Sequence, residues 1–173
     1  LYNEPEYLLR SELNDPGTYN SVLEAIAAGL TRHNEIADRV GKPASGVSPY
    51  LATLEKLRLI ERVTSLPGRA TGRRSAGRYF IRDQFLRFWY RFVLPNRSLL
   101  EIGEGNRVWR QRVAPHLDEY LATAFEGVCR EYVRRYGAEK LGAEPAGEVG
   151  LFWSRDVEMD LLCRNADGSH TCG

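Results

Sequence analysis

Apolar residues recur at helical spacing near the start of the chain, where Val22, Leu23, Ile26, Ala27 and Leu30 form one stripe behind an Asp15-Pro16-Gly17 turn. Gly29 stands near the end of that stripe, and Thr31 is placed to cap a second, shorter helix over about residues 32–40. This helix buries Ile36, Ala37 and Val40 and stops at Gly41. In a third helix Val47, Leu51, Leu54 and Leu57 return every three or four positions, while Ser45, Tyr50, Thr53 and Lys56 point elsewhere. Pro49 argues for a start close by, at Ser45 or Ser48. Its missing N–H is harmless in a first turn but costs about 3 kcal/mol further in. The period then changes: residues 59–64 and 78–81 read as strands that bracket a loop rich in Gly, Pro and Arg. Three helices and a hairpin predict a winged helix-turn-helix over residues 1–82.

Residues 83–113 read as an aromatic-rich helical linker. Phe85, Phe88, Trp89 and Phe92 sit at the spacing of one buried helix face, Pro95 to Ser98 end that helix, and residues 99–106 form an irregular connector. Core packing explains such a face better than a base-stacking platform does. From Pro115 a long helix carries Leu117, Tyr120, Leu121, Ala124, Phe125, Val128, Cys129, Tyr132 and Val133, with Gly137 as its expected end. Residues 148–153 and 157–163 then read as antiparallel strands turning at residues 154–156, and Asn165-Ala166-Asp167-Gly168 is a hairpin signal leading into residues 169–172. The fold class predicted is α+β: a winged helix, a helical linker, and over residues 114–173 the first part of a restriction-endonuclease-like domain.

Composition fits a soluble globular protein, with 43% hydrophobic and 27% charged residues. No apolar run reaches the roughly 18 to 20 residues that cross a bilayer, and the first residues are not a signal peptide, so a cytoplasmic location is expected. The chain starts at Leu1 without an initiator Met and ends at Gly173 in what reads as a strand, as a piece of a longer protein would. Cys129, Cys163 and Cys172 form an odd set with no zinc-site spacing and read as reduced thiols. The net charge of +1 hides two opposite regions. Residues 61–91 hold eight arginines against Glu61 and Asp83, whereas residues 137–173 hold seven acids against Lys140, Arg155 and Arg164. One region suits a polyanion and the other a cation.

For a winged helix the expected partner is double-stranded DNA, with the third helix in the major groove and the wing on phosphates. The residues that suit this are Lys42, Ser45, Ser48 and Tyr50 at the helix, and Arg69, Arg73, Arg74 and Arg78 at the wing. Guanidinium groups on a Gly-rich loop projecting as a positive flap reach the backbone at several points and give salt-dependent affinity. The exposed helix face carries no Arg before Arg58, although base readout leans on Arg, Lys, Asn or Gln, so a protein-docking or purely structural winged helix stands beside the DNA reading.

A long helix followed by a three-stranded meander is also how a PD-(D/E)xK nuclease core begins. In that chemistry carboxylates from separate elements hold a divalent cation that activates water. The chain resembles the C-terminal half of a family of prokaryotic AAA+ (STAND-like) ATPases that carry a winged helix and a nuclease-like domain. The resemblance is carried by Leu8 to Leu13, Asn34-Glu35-Ile36-Ala37, Arg78-Tyr79-Phe80-Ile81-Arg82-Asp83, Phe88-Trp89-Tyr90-Arg91-Phe92, Phe125-Glu126-x-Val128-Cys129 and Glu158-Met159-Asp160-Leu161. It implies that Glu126 and Asp160 are catalytic and metal-ligating carboxylates for Mg or Mn, and that a Glu-x-Lys motif follows Gly173. It also implies that an ATPase domain precedes Leu1. The piece in hand lacks the complete cation cage and is expected to be inactive by itself. No Gly-x-x-x-x-Gly-Lys-[Ser/Thr] loop is present, so ATP is not held in that manner. Three functions follow: a DNA-binding module of an ATPase, a sensor module that docks on and gates that ATPase, or a metal-dependent nuclease in the full protein.

Overall fold

The computed structural model describes residues 15–66, 77–141, 148–164 and 169–172, the side chains of residues 138–141 excepted. The chain divides into two compact units. Of the described residues, those up to Val63 and from Gly77 to Pro115 form the first; residues 64–66 and those from His116 onward form the second.

The first unit opens with α1 (Pro16–Ala27), which starts earlier than its apolar stripe. Asp15-Pro16 is the helix entrance and not a separate turn, because Asp15 accepts the Thr18 N–H at 3.3 Å and Pro16 occupies the first helical position. Helix α2 (His33–Val40) ends as expected at Gly41, whose φ of 73° lies in the left-handed region that glycine enters without a Cβ clash. Thr31 does not cap it. The Glu35 carboxylate instead accepts the Arg32 N–H at 3.1 Å, and the Thr31 carbonyl accepts from Tyr79 N–H at 2.8 Å. Residues 31 and 32 are therefore drawn into a sheet edge, where Arg32 bridges Arg78.

Helix α3 (Ala44–Lys56) begins ahead of both serines, and Pro49 lies inside it. Ser45 and Pro49 are both exposed. The Ser45 carbonyl that loses its partner can therefore bond water, which is why the helix tolerates the proline. At the far end Arg58 adopts φ 59° and the Leu59 N–H reaches the Leu54 carbonyl at 3.0 Å, a left-handed termination made without glycine. Strands β1 (Ile60–Val63) and β2 (Arg78–Ile81) pair antiparallel, Ile60 with Ile81 and Val63 with Arg78. Val22, Leu23, Ile36, Val47, Leu51, Leu54 and Ile60 are buried in one core.

The aromatic segment belongs to that same core. Helix α4 (Gln84–Phe88), capped by Asp83, runs directly into a wide π-turn over Trp89–Val93, and Trp89 and Tyr90 are almost wholly buried. Tyr90 donates from its hydroxyl to Asn20 at 2.9 Å. Phe85, expected inside, is half exposed. Pro95 cannot donate to Arg91 and its ring crowds that carbonyl, so the preceding turn widens and the Leu94 N–H bonds Trp89 five residues back. A wider turn rotates the side chains after Trp89; Phe85 lies before it, with its carbonyl accepting the Trp89 N–H in an ordinary helical turn. The backbone then stays helical through Leu94–Asn96 and α5 (Arg97–Glu101), where a helix end and a connector were expected. The device repeats after α6 (Gly105–Val108), where Ala114 bonds Trp109 ahead of Pro115.

In the second unit α7 (Leu117–Leu141) packs on a meander of β3 (Glu148–Trp153), β4 (Glu158–Arg164) and β5 (His170–Cys172) in the order β3-β4-β5. Gly137, expected to end the helix, lies buried within it. Val133, Val149, Leu161 and Cys163 form the contact between helix and sheet. Gly150 pairs with Leu162 and Phe152 with Met159, so Leu151 faces both Asp160 and Leu161 across a bulge. Arg130 donates to the Asp160 carbonyl and Arg134 to that of Val149, each at 2.9 Å, tying α7 to the sheet. The hairpin signal at residues 165–168 lies outside the described residues.

Residues 64–66, directly after β1, lie along β3. The Leu66 N–H donates to the Leu151 carbonyl at 2.8 Å, and the buried Ser65 hydroxyl donates to the Trp153 carbonyl and accepts its N–H at 2.8 Å. Gly150 makes room: a Cβ there would come within 2.9 Å of Leu66. Replacing Ser65 by alanine removes the hydroxyl that bonds both Trp153 backbone groups, and a loss of about 1–3 kcal/mol is expected in denaturant unfolding of the second unit. A change under about 0.5 kcal/mol would show that water takes over both bonds.

Candidate nucleic-acid interface

The exposed face of α3 follows from its buried one. Val47, Leu51 and Leu54 point into the core, which leaves Ser45, Ser48, Pro49, Ala52 and Lys56 outward, with Lys42 in the loop before the helix. Small residues dominate, so the helix backbone is open to close approach. Ser48 donates to the Ala44 carbonyl at 3.1 Å and lies 3.3 Å from His33 Nε2, which joins α2 and α3 at their N-terminal ends. Arg32, exposed at the start of α2 and 3.7 Å from Glu35, adds a cation that the sequence reading passed over. Its position in a connector between two helices gave no periodic signal.

Tyr50 does not belong to the outward face. Its hydroxyl donates to Asp15 at 3.0 Å, its ring meets Tyr19 edge-on at 4.8 Å, and Lys42 Nζ lies 5.8 Å from the ring centre. The tyrosine thus fastens α3 to the start of α1, and Lys42 is held over it. Bonds from Thr18 and Tyr50 hold the Asp15 carboxyl below the ordinary range, and the same bond raises the Tyr50 hydroxyl. A depressed carboxylate contributes stability in full above the unfolded pKa of about 3.9 and loses it as the pH falls through the lower folded value. Asp15→Ala is therefore expected to melt earlier than the parent at neutral pH. The gap should close on acidification below that window; a gap independent of pH would show that the carboxylate charge plays no part.

Arg78, expected on the wing surface, is buried in β2, with its Nε shielded from solvent. It pairs with Val63 on one side and bridges Arg32 on the other. The strand position accounts for this: with neighbours paired on both sides, Arg78 projects from a face of the sheet and not from a loop. Arg69, Arg73 and Arg74 lie outside the described residues. Ser65 and Leu66, which follow β1 in sequence, are bonded to β3 within the second unit.

Glu126 is half-buried on α7, and Asp160 is exposed at the β4 bulge. Arg130 stands one helical turn after Glu126 and donates to the Asp160 backbone carbonyl. Among the described residues no three His, Cys, Asp or Glu side chains come together as a metal cage. Among the described residues no helix is long and apolar enough to cross a membrane.

Residues 21–64 match the IclR helix-turn-helix domain, and residues 89–172 match DUF234, a family described as archaeal and bacterial proteins of unknown function. The chain is similar to each of these families over the residues matched. Neither family is described as an ATPase or a PD-(D/E)xK nuclease. An uncharacterized protein of Methanocaldococcus jannaschii is 32% identical over 167 residues, which cover 95% of this chain and 36% of that protein. The chain thus spans about a third of the length of the curated relative it matches. No solved structure matches it.

Proposed function

We propose that the chain is a DNA-binding regulatory module in which α3 enters the major groove of a duplex and the hairpin arginines follow the adjoining phosphates. One observation carries the reading. The match to an IclR-type helix-turn-helix ends at residue 64, after the element whose outward face is small, hydroxylated and uncluttered. Ser45 and Ser48 are positioned to meet base edges or phosphates, and Lys42 and Arg32 flank them with positive charge. Hydroxyl groups bond either bases or phosphates, so affinity in this module comes chiefly from cations and counterion release.

Titration of duplex DNA against the chain at several salt concentrations tests this. Replacing Arg69, Arg73 and Arg74 together by alanine is expected to lower the slope of log affinity against log salt by about 2 to 3, near 0.9 for each phosphate contact removed. An unchanged slope would take the wing out of the interface. No binding to any duplex at low salt would favour the alternative, a winged helix that docks on protein, including an ATPase domain of a longer chain.

The second unit is read as regulatory. The match over this unit is to a family of unknown function, and hydrolysis with Glu126 and Asp160 as metal ligands therefore has less support than DNA binding by the first.

A further inference from the structure

His33 is the first residue of α2 and lies half-buried beside the exposed Ser48 of α3. Its Nε2 is 3.3 Å from Ser48 Oγ, and its ring meets that of Tyr79 edge-on at 6.4 Å. From α3 the imidazole therefore faces a neutral hydroxyl. From β2 it faces a phenol whose hydroxyl burial raises still further above neutrality. The charged groups of its own helical turn, Arg32 and Glu35, are 3.7 Å apart and paired with each other. Among the described residues no carboxylate is bonded to the ring. Histidine is the side chain whose charge changes between about pH 5 and pH 8, and here it stands on the face assigned to DNA.

The hydrogen-bond inventory ties that charge to Ser48. Serine has one hydroxyl proton, and Ser48 Oγ has two neighbours able to take it, the Ala44 carbonyl at 3.1 Å and His33 Nε2. A neutral imidazole carries one N–H and one bare nitrogen, so Nε2 is free to accept the serine proton. An imidazolium has donors only. Its Nε2–H then points at Ser48 Oγ, and the serine proton is left for the Ala44 carbonyl or for an acceptor outside the protein. Phosphate oxygens accept and never donate. The charged ring thus sets Ser48 in the sense that a phosphate needs and places a cation beside it, two effects of the same sign.

We propose that His33 and Ser48 form a proton-linked phosphate contact, in which a duplex selects the imidazolium form of His33 and that form turns the Ser48 hydroxyl outward as a donor. The proton comes from solvent on binding and returns to it on release. The proposal rests on the reading of α3 as the DNA-binding element and adds the protonation state that its face takes in the complex.

Duplex titrations at fixed ionic strength are expected to show about tenfold tighter binding near pH 6 than near pH 8, with no more than about one proton taken up per complex. His33→Gln keeps a donor and an acceptor but cannot ionise, and is expected to lose this gain. His33→Arg, a fixed cation with donors only, should hold the tighter value at both pH values. Calorimetry of the unaltered chain in two buffers of different ionisation heat is expected to record uptake of about half a proton near pH 6.5. This last measurement decides the matter even where a variant fails to fold. The same pH dependence in folded His33→Gln, or binding by the unaltered chain without proton uptake, overturns the inference and leaves the DNA reading standing. No duplex binding at any pH overturns that reading and the inference with it.

Discussion

Replacing Trp89 by alanine is expected to remove about 3–5 kcal/mol from the stability of the first unit, while Phe85→Ala changes it by no more than about 0.5 kcal/mol. Trp89 is 2% exposed and stacks edge-on against Tyr90 at 4.8 Å, in the same core as Leu23, Leu51 and Leu54. Domains of this size hold only about 5–15 kcal/mol in all, so the tryptophan variant should populate unfolded forms that equilibrium denaturation detects. The contrast follows from burial: Phe85 is 51% exposed, whereas Trp89 is enclosed. Near-equal losses would show that Phe85 is packed as deeply as Trp89. The rings of Trp89 and Tyr90 complete the winged-helix core.

Placing glutamate at Ser45 and Ser48 together is expected to abolish duplex binding with little effect on folding. Two carboxylates on the outward face of α3 meet the phosphate field, and at about 1.4 kcal/mol or more apiece they reduce affinity at least ~100-fold. Stability should hold, because both sites are exposed and both lie in the first turns of the helix, where negative charge is favoured by the dipole. DNA affinity comparable to the parent's would move the binding surface away from α3. Thermal melting run in parallel separates loss of the interface from loss of the fold, since a lowered melting temperature would mean that the Ser48 contact with His33 holds α2 and α3 together.

Much of the first unit was legible from the spacing of apolar residues. Val47, Leu51 and Leu54 face the core and Gly41 closes α2, because helix periodicity and a left-handed cap are local properties of a short stretch of chain. The two wing strands and the meander were likewise set by alternation and turn residues. Site residues were less legible. Tyr50 looked like an outward reader and is a clamp on Asp15, and Arg78 looked like a wing cation and is buried in a strand. Both lie next to residues distant in sequence, and no local pattern announces such a neighbour.

Local order in this protein, its helices, strands and the hydroxylated surface of α3, was determined by the order of its residues alone. Tertiary structure decided which apolar face of each element is used: Tyr90 buried and Phe85 half exposed, one side of α7 and not the other, and Ser65 bonded to Trp153 at 88 positions' remove. The reason is physical. A side chain's hydrophobicity is its own, but whether water is excluded from it depends on a partner brought close by the rest of the chain, and a proline that widens one turn redirects every face after it.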